Sequence, residues 1–157
     1  RRCLYHWIDY PDAARELARL ASAEVPDMTA LIDGSWDGEQ GLQRAEALST
    51  AYLEHWERNH GVLLLRNQAA DRGDKAFLSI RKHALEPLIL KLAELIKQSQ
   101  QQGRVSADLH PFLAASALVS ILEKLSAYAQ TLRNFNAGRD DLVRTCARII
   151  CTTVTGR

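Results

Sequence analysis

Residues 75–102, KAFLSIRKHALEPLILKLAELIKQSQQQ, decide the fold class. Phe77, Ile80, Ala84, Leu85, Leu88, Leu92, Leu95 and Ile96 recur at helical spacing and mark one apolar face. The run opens after Asp71-Arg72-Gly73-Asp74, a turn and N-cap, and frays through Gln98–Gln102 into Gly103, a good C-terminal stop. Pro87 inside it predicts a bend, because proline removes one backbone hydrogen bond.

The same reading extends in both directions. Upstream, Tyr10 to about Ala23 reads as a helix with Leu17 and Leu20 on its apolar side and Asp12 and Glu16 in its N-terminal half. Val25–Ile32 reads as a short helix and Asp33–Gly38 as a loop. A helix over Gln40–Asn59 is followed by a second over Gly61–Ala70. Downstream, Asp108 is expected to cap a helix over Leu109–Arg133, and a last helix runs from Asp140 to Val154. No stretch alternates with period two. The fold class is therefore all-α, a bundle of about six to eight helices with short connections.

Composition fits one domain. The 157 residues are 46% apolar, and a chain of this length can bury roughly 70% of the surface its unfolded form exposes. Twenty basic residues oppose 19 acidic ones, for a net charge of +1. A free-standing nucleic-acid binder carries a basic excess, and none is present. The three cysteines, Cys3, Cys146 and Cys151, form neither a CxxC pair nor an even disulfide framework, which points to a reducing, cytoplasmic setting. No apolar run reaches the roughly 20 residues of a membrane span, so no membrane partner is expected.

Several stretches resemble TetR-type regulators. Leu4-Tyr5-His6-Trp7-Ile8-Asp9-Tyr10-Pro11 resembles the segment joining the recognition helix to the fourth helix of that family. Pro11 stands roughly where a phosphate-contacting lysine is usual. Gly103-Arg104-Val105-Ser106-Ala107-Asp108-Leu109-His110-Pro111-Phe112 is similar to the linker that opens the penultimate helix. Tyr52–Gly61 resembles the family's middle helix and its break. The resemblance implies a TetR-like C-terminal bundle over residues 10–157. Residues 1–9 would be the tail of a helix-turn-helix head that mostly precedes Arg1, with Tyr5 and His6 as DNA-facing candidates.

It further implies a ligand-responsive transcriptional regulator of the repressor kind that binds a small, mostly apolar effector, pairs with a second copy of itself and meets a DNA operator through its head. Ligand candidates are Tyr52, Trp56, Leu63, Asn67, Phe77, Ile80, Phe112, Leu118, Leu122 and Leu125, around an apolar cavity between Trp56 and Phe112. Asn67 is the most informative if buried, because a buried amide needs a partner. The homodimer interface is expected on the last two helices, at Ile121, Tyr128, Leu132, Leu142, Cys146, Ile149 and Ile150. The wide apolar surface of the penultimate helix fits that role independently, since it needs cover from two directions. Arg81, Lys82 and His83 read as a solvated face that could also meet an acidic ligand group.

Other chemistry has little support. His55 and His60 are five apart across a helix end, a poor spacing for zinc, and no metal or other cofactor is expected. No nucleophile elbow or glycine-rich phosphate loop appears, so no enzyme activity is expected. The alternative to a regulator is a helical interaction module or adaptor without DNA binding, which would expose an apolar groove.

Overall fold

A computed structural model describes residues 10–156. The described residues are helical throughout, without strands: α1 (Tyr10–Ser22), a 3-10 turn (Pro26–Ile32), α2 (Glu39–Asp71), α3 (Lys75–Gln101), α4 (Pro111–Ala127), α5 (Ala129–Leu132), a second 3-10 turn (Arg133–Phe135) and α6 (Arg139–Thr155). α2 is the central element. α1, α3, α4 and α6 all pack on it, and α3 also covers α1 and α4.

The buried stripes follow the periodicity. Leu88, Leu92 and Ile96 of α3 are fully buried, as are Leu48, Tyr52, Leu53, Trp56 and Leu63 of α2. On α6, Leu142, Cys146, Ile150 and Val154 recur every four residues and face inward. Fully burying one such side chain contributes roughly 1.5–3 kcal/mol, so these helices are held by their shared core more than by propensity. The Asp74 carboxylate accepts from the N–H groups of Ala76 and Phe77, at 2.9 and 3.2 Å, which starts α3 where expected. At the other end Gly103 adopts φ +69°, the left-handed conformation of a helix stop.

Three local expectations change. α1 buries Ala18 and Ser22, while Leu17 and Leu20 are each 55% exposed; small residues let α1 lie close to its neighbours, and the leucines turn outward. As expected, the helical run is broken at Asn59, which takes φ −120° and ψ 16° and kinks α2. The Asn59 amide donates back to the His55 carbonyl at 3.1 Å. α3 carries Pro87 within it, also as expected. Asp108 caps nothing: its carboxylate accepts from the Ser106 hydroxyl, and α4 begins after His110 with Pro111 in its first turn.

The change at the end of α4 is the largest. The penultimate helix stops at Ala127, where Tyr128 leaves helical geometry (φ −105°, ψ 10°), and the chain turns by 70° into α5. No glycine or proline marks this end. His60 of α2 donates its Nε2–H to the Ala127 carbonyl at 3.0 Å, and this contact from another helix satisfies a carbonyl that the end of α4 leaves open. Among the described residues, no single helix is long and apolar enough to cross a membrane.

The two aspartates give a direct check. Asp74→Ala is expected to lower unfolding free energy by about 1 kcal/mol, the usual value of an N-cap. Asp108→Ala should change it by less than about 0.5 kcal/mol, as for an exposed surface residue. Urea denaturation of both variants measures the difference.

Candidate functional site

The most unusual chemistry in the bundle is a buried ion pair. Arg66 of α2 is 1% exposed and Glu123 of α4 is 4% exposed. An Arg66 Nη donates to Glu123 Oε1 at 2.6 Å. Its second Nη donates to the Ser22 hydroxyl at 2.9 Å, and its Nε to the Asn67 side-chain carbonyl at 3.0 Å. Glu123 Oε2 accepts from the Asn67 amide at 3.2 Å and lies 3.4 Å from Arg81 Nε. One network therefore joins the last residue of α1, the C-terminal part of α2, the first half of α3 and the end of α4.

Two further groups border it. Burial first, then the charge of Glu123, raises the Tyr52 phenol well above its usual value, so the ring stays protonated beside the carboxylate. His55, edge-on to Tyr52 at 6.3 Å, is buried with its Nδ1 3.4 Å from Glu24. Burial lowers its pKa below the usual 6.5 and outweighs the opposing pull of Glu24.

Above Glu123 opens a cleft of about 420 Å³ between α2, α3 and α4. Trp56, Leu64 and Ala127 form its apolar wall. Asn67, Arg81, Glu123, Lys124 and Tyr128 supply polar groups. A second lobe of about 500 Å³ shares Trp56, Leu64, Ala127 and Tyr128 with the first and runs along the bend between α4 and α5. Volumes of this size suit a small organic molecule. Two buried polar atoms at these walls, Trp56 Nε1 and Ser126 Oγ, have no hydrogen-bond partner.

The structure sorts the ligand candidates. Trp56 and Asn67 line the cleft. Tyr52, Leu63, Leu118 and Leu122 are spent on the core, and Leu125 packs half-buried against it. Phe77 belongs to a small separate cluster with Ala18 and Ala70. Ile80 borders a shallow groove between α1 and α3 with Arg19, Ser22 and His83. Phe112 is 44% exposed and lies in another groove, with Leu78, Leu85 and Ile89. Trp56 and Phe112 line two different spaces, and Arg81 lines both.

The interface candidates also divide. Leu142, Cys146 and Ile150 are buried within the core of the single chain. Burial raises the Cys146 thiol to about 11, which leaves it inert at neutral pH. Ile121 and Leu132 are half-buried, and Ile149 is 37% exposed. Tyr128 lies beyond the bend, on the cleft, with Lys124 Nζ 4.4 Å from its ring centroid. Tyr5 and His6 lie outside the described residues. No three His, Cys, Asp or Glu side chains among the described residues converge as a metal-binding group.

Arg66 and Glu123 are the functional candidates that periodicity passed over, whereas Arg81, read as part of a solvated face that could meet an acidic ligand group, lines the cleft. A signal existed: Glu123 stands four residues after Val119 and one after Leu122, within the buried stripe of an otherwise apolar helix.

This fold and site define a helical domain with a ligand-sized cleft set over a buried polar network. A family model described as the tetracyclin repressor-like C-terminal domain matches residues 28–157, and the chain belongs to that family. No curated protein and no solved structure matches it.

Removing one partner of the buried pair leaves an uncompensated charge. Glu123→Ala should cost about 3–5 kcal/mol, whereas Arg66→Met combined with Glu123→Leu should recover most of that loss. Urea denaturation of the three chains reads both effects. A second expectation concerns pH. Because the folded-state pKa of His55 is lowered, the unfolded chain takes up this proton first as pH falls below about 6.5. The His55 contribution to stability is complete above that value and is lost as pH falls towards the folded-state pKa. His55→Leu should flatten the fall in the urea midpoint between pH 7 and 5.5.

Proposed function

We propose that this chain is the effector-binding and pairing half of a ligand-responsive transcriptional repressor. The observation that carries the reading is the continuous path from the cleft to α1. Glu123 lines the cleft, Arg66 bonds Glu123, and the same guanidinium bonds Ser22 at the end of α1. In this reading α1 leads back to a DNA-reading helix-turn-helix head ahead of residue 10, with Tyr5 and His6 at its edge.

A small effector with a mostly apolar body occupies the α2–α3–α4 cleft. By contacting Asn67, Arg81 or Glu123 it shifts how the network holds Ser22, and with it the angle of α1. Such a shift regulates only if the effector binds the two arrangements with different affinity. Two heads must then be held at a fixed spacing to read two half-sites, which requires a homodimer. The outward faces of α4 and α6, with Ile121 and Ile149, supply the pairing surface.

Two measurements test this. Sedimentation equilibrium should give a dimer, and Ile121→Asp with Ile149→Asp should give a monomer whose far-ultraviolet circular dichroism is unchanged. For the protein carrying its head, saturating effector should weaken operator binding by at least tenfold. An unchanged operator affinity would contradict the regulatory reading.

A further inference from the structure

The charges around the cleft specify more than its size. Arg66 and Glu123 neutralise each other beneath the floor. What remains is Arg81 and Lys124 against Asp71, a surplus of one positive charge. Both carboxylates are already engaged. Glu123 is bonded by Arg66 and Asn67 and approached by Arg81, and Asp71 accepts from an Arg81 Nη at 2.9 Å. A cationic ligand would have to break one of those contacts to find a partner.

The donors are less committed. Arg81 spends Nε on Glu123 and one Nη on Asp71, and its other Nη is bound by neither. Asp71 is 71% exposed, so an incoming anion can exchange for it at little loss, since surface ion pairs are weak. Lys124 Nζ has no carboxylate partner among the described residues; it rests over the Tyr128 ring, 3.4 Å from the hydroxyl. In the second lobe Glu57 shares Arg139 with Glu54, at 3.4 and 3.0 Å, so the positive surplus belongs to the first lobe, where Arg81 and Lys124 lie. The two lobes share the apolar surface of Trp56, Leu64 and Ala127, with Gln68 and Tyr128 beside it.

We propose that the effector is a small organic monoanion with an apolar body, its acidic group gripped by Arg81 and Lys124 and its body lying against Trp56 and Leu64. This rests on the effector reading above and names its ligand class. A carboxylate suits the site best, because the fork of a guanidinium matches its two oxygens.

The test uses three probes of one shape and different charge: 2-naphthoate, 2-naphthamide and 2-naphthylmethylammonium, titrated calorimetrically into this chain. The acid should bind at least tenfold tighter than the amide or the amine. Lys124→Gln should weaken the acid roughly tenfold, a loss of about 1.4 kcal/mol, and leave the amide unmoved, while Lys124→Arg should retain binding. Lys124 is exposed, so these variants do not depend on a change in folding. Arg81→Gln should show the same loss of the acid, read beside its thermal melt because Arg81 also touches Glu123. Equal or tighter binding of the amide or amine, or an indifferent Lys124→Gln, overturns the anionic class while leaving an effector in this cleft. Failure of all three probes to bind overturns the effector reading of the cleft along with it.

Discussion

The bundle depends on one buried contact, the 2.6 Å bond between Arg66 and Glu123. Two charges at 1% and 4% exposure are a poor way to gain stability. Desolvation takes back most of the Coulomb energy, and apolar side chains of similar volume would serve as well. What the pair supplies is connection. Each partner carries further bonds, and these reach four helices whose apolar faces alone would allow some sliding. A fully satisfied polar network admits few alternative arrangements, and this one fixes how α1 meets the body of the domain.

The geometry of the cleft follows from that anchor and from the end of α4. Glu123 must point inward to meet Arg66, which leaves Lys124 and Tyr128 at the rim. The 70° turn after Ala127, held from across the bundle by His60, swings α5 aside and opens the second lobe. A straight helix to Arg133 would have covered that space and carried Tyr128 and Leu132 along the outer stripe. The same turn thus adds to the cleft.

Much of the fold was legible in the sequence because a shared core writes itself as periodicity. Phe77 to Ile96, Leu142 to Val154, the Asp74 cap and the Gly103 stop all follow local rules. The end of α4 was not legible, because its cause is the His60 ring, sixty-seven residues away in sequence. The outward turn of Leu17 and Leu20 was hidden for a similar reason: which face of α1 is buried depends on what it lies against. For the site, Asn67 was singled out as an amide that needs a partner, and it has two, Glu123 and Arg66. The charged centre went unread because attention to apolar spacing treats an arginine after three leucines, or a glutamate after Leu122, as an interruption. Both stand on buried faces, and a charge on a buried face demands a partner.

On the proposed reading the pair couples the cleft to α1 in particular, beyond its share in general stability. Amide hydrogen exchange of Glu123→Gln against the unaltered chain separates these. If Arg66 holds Ser22 through its bond to Glu123, protection is lost selectively in the C-terminal half of α1, from Ala18 to Ser22. Protection of Cys146 to Val154 in α6, which has no part in the network, stays unchanged. A loss of protection spread evenly over α1 and α6 would mean that the pair contributes only global stability, and would contradict the account.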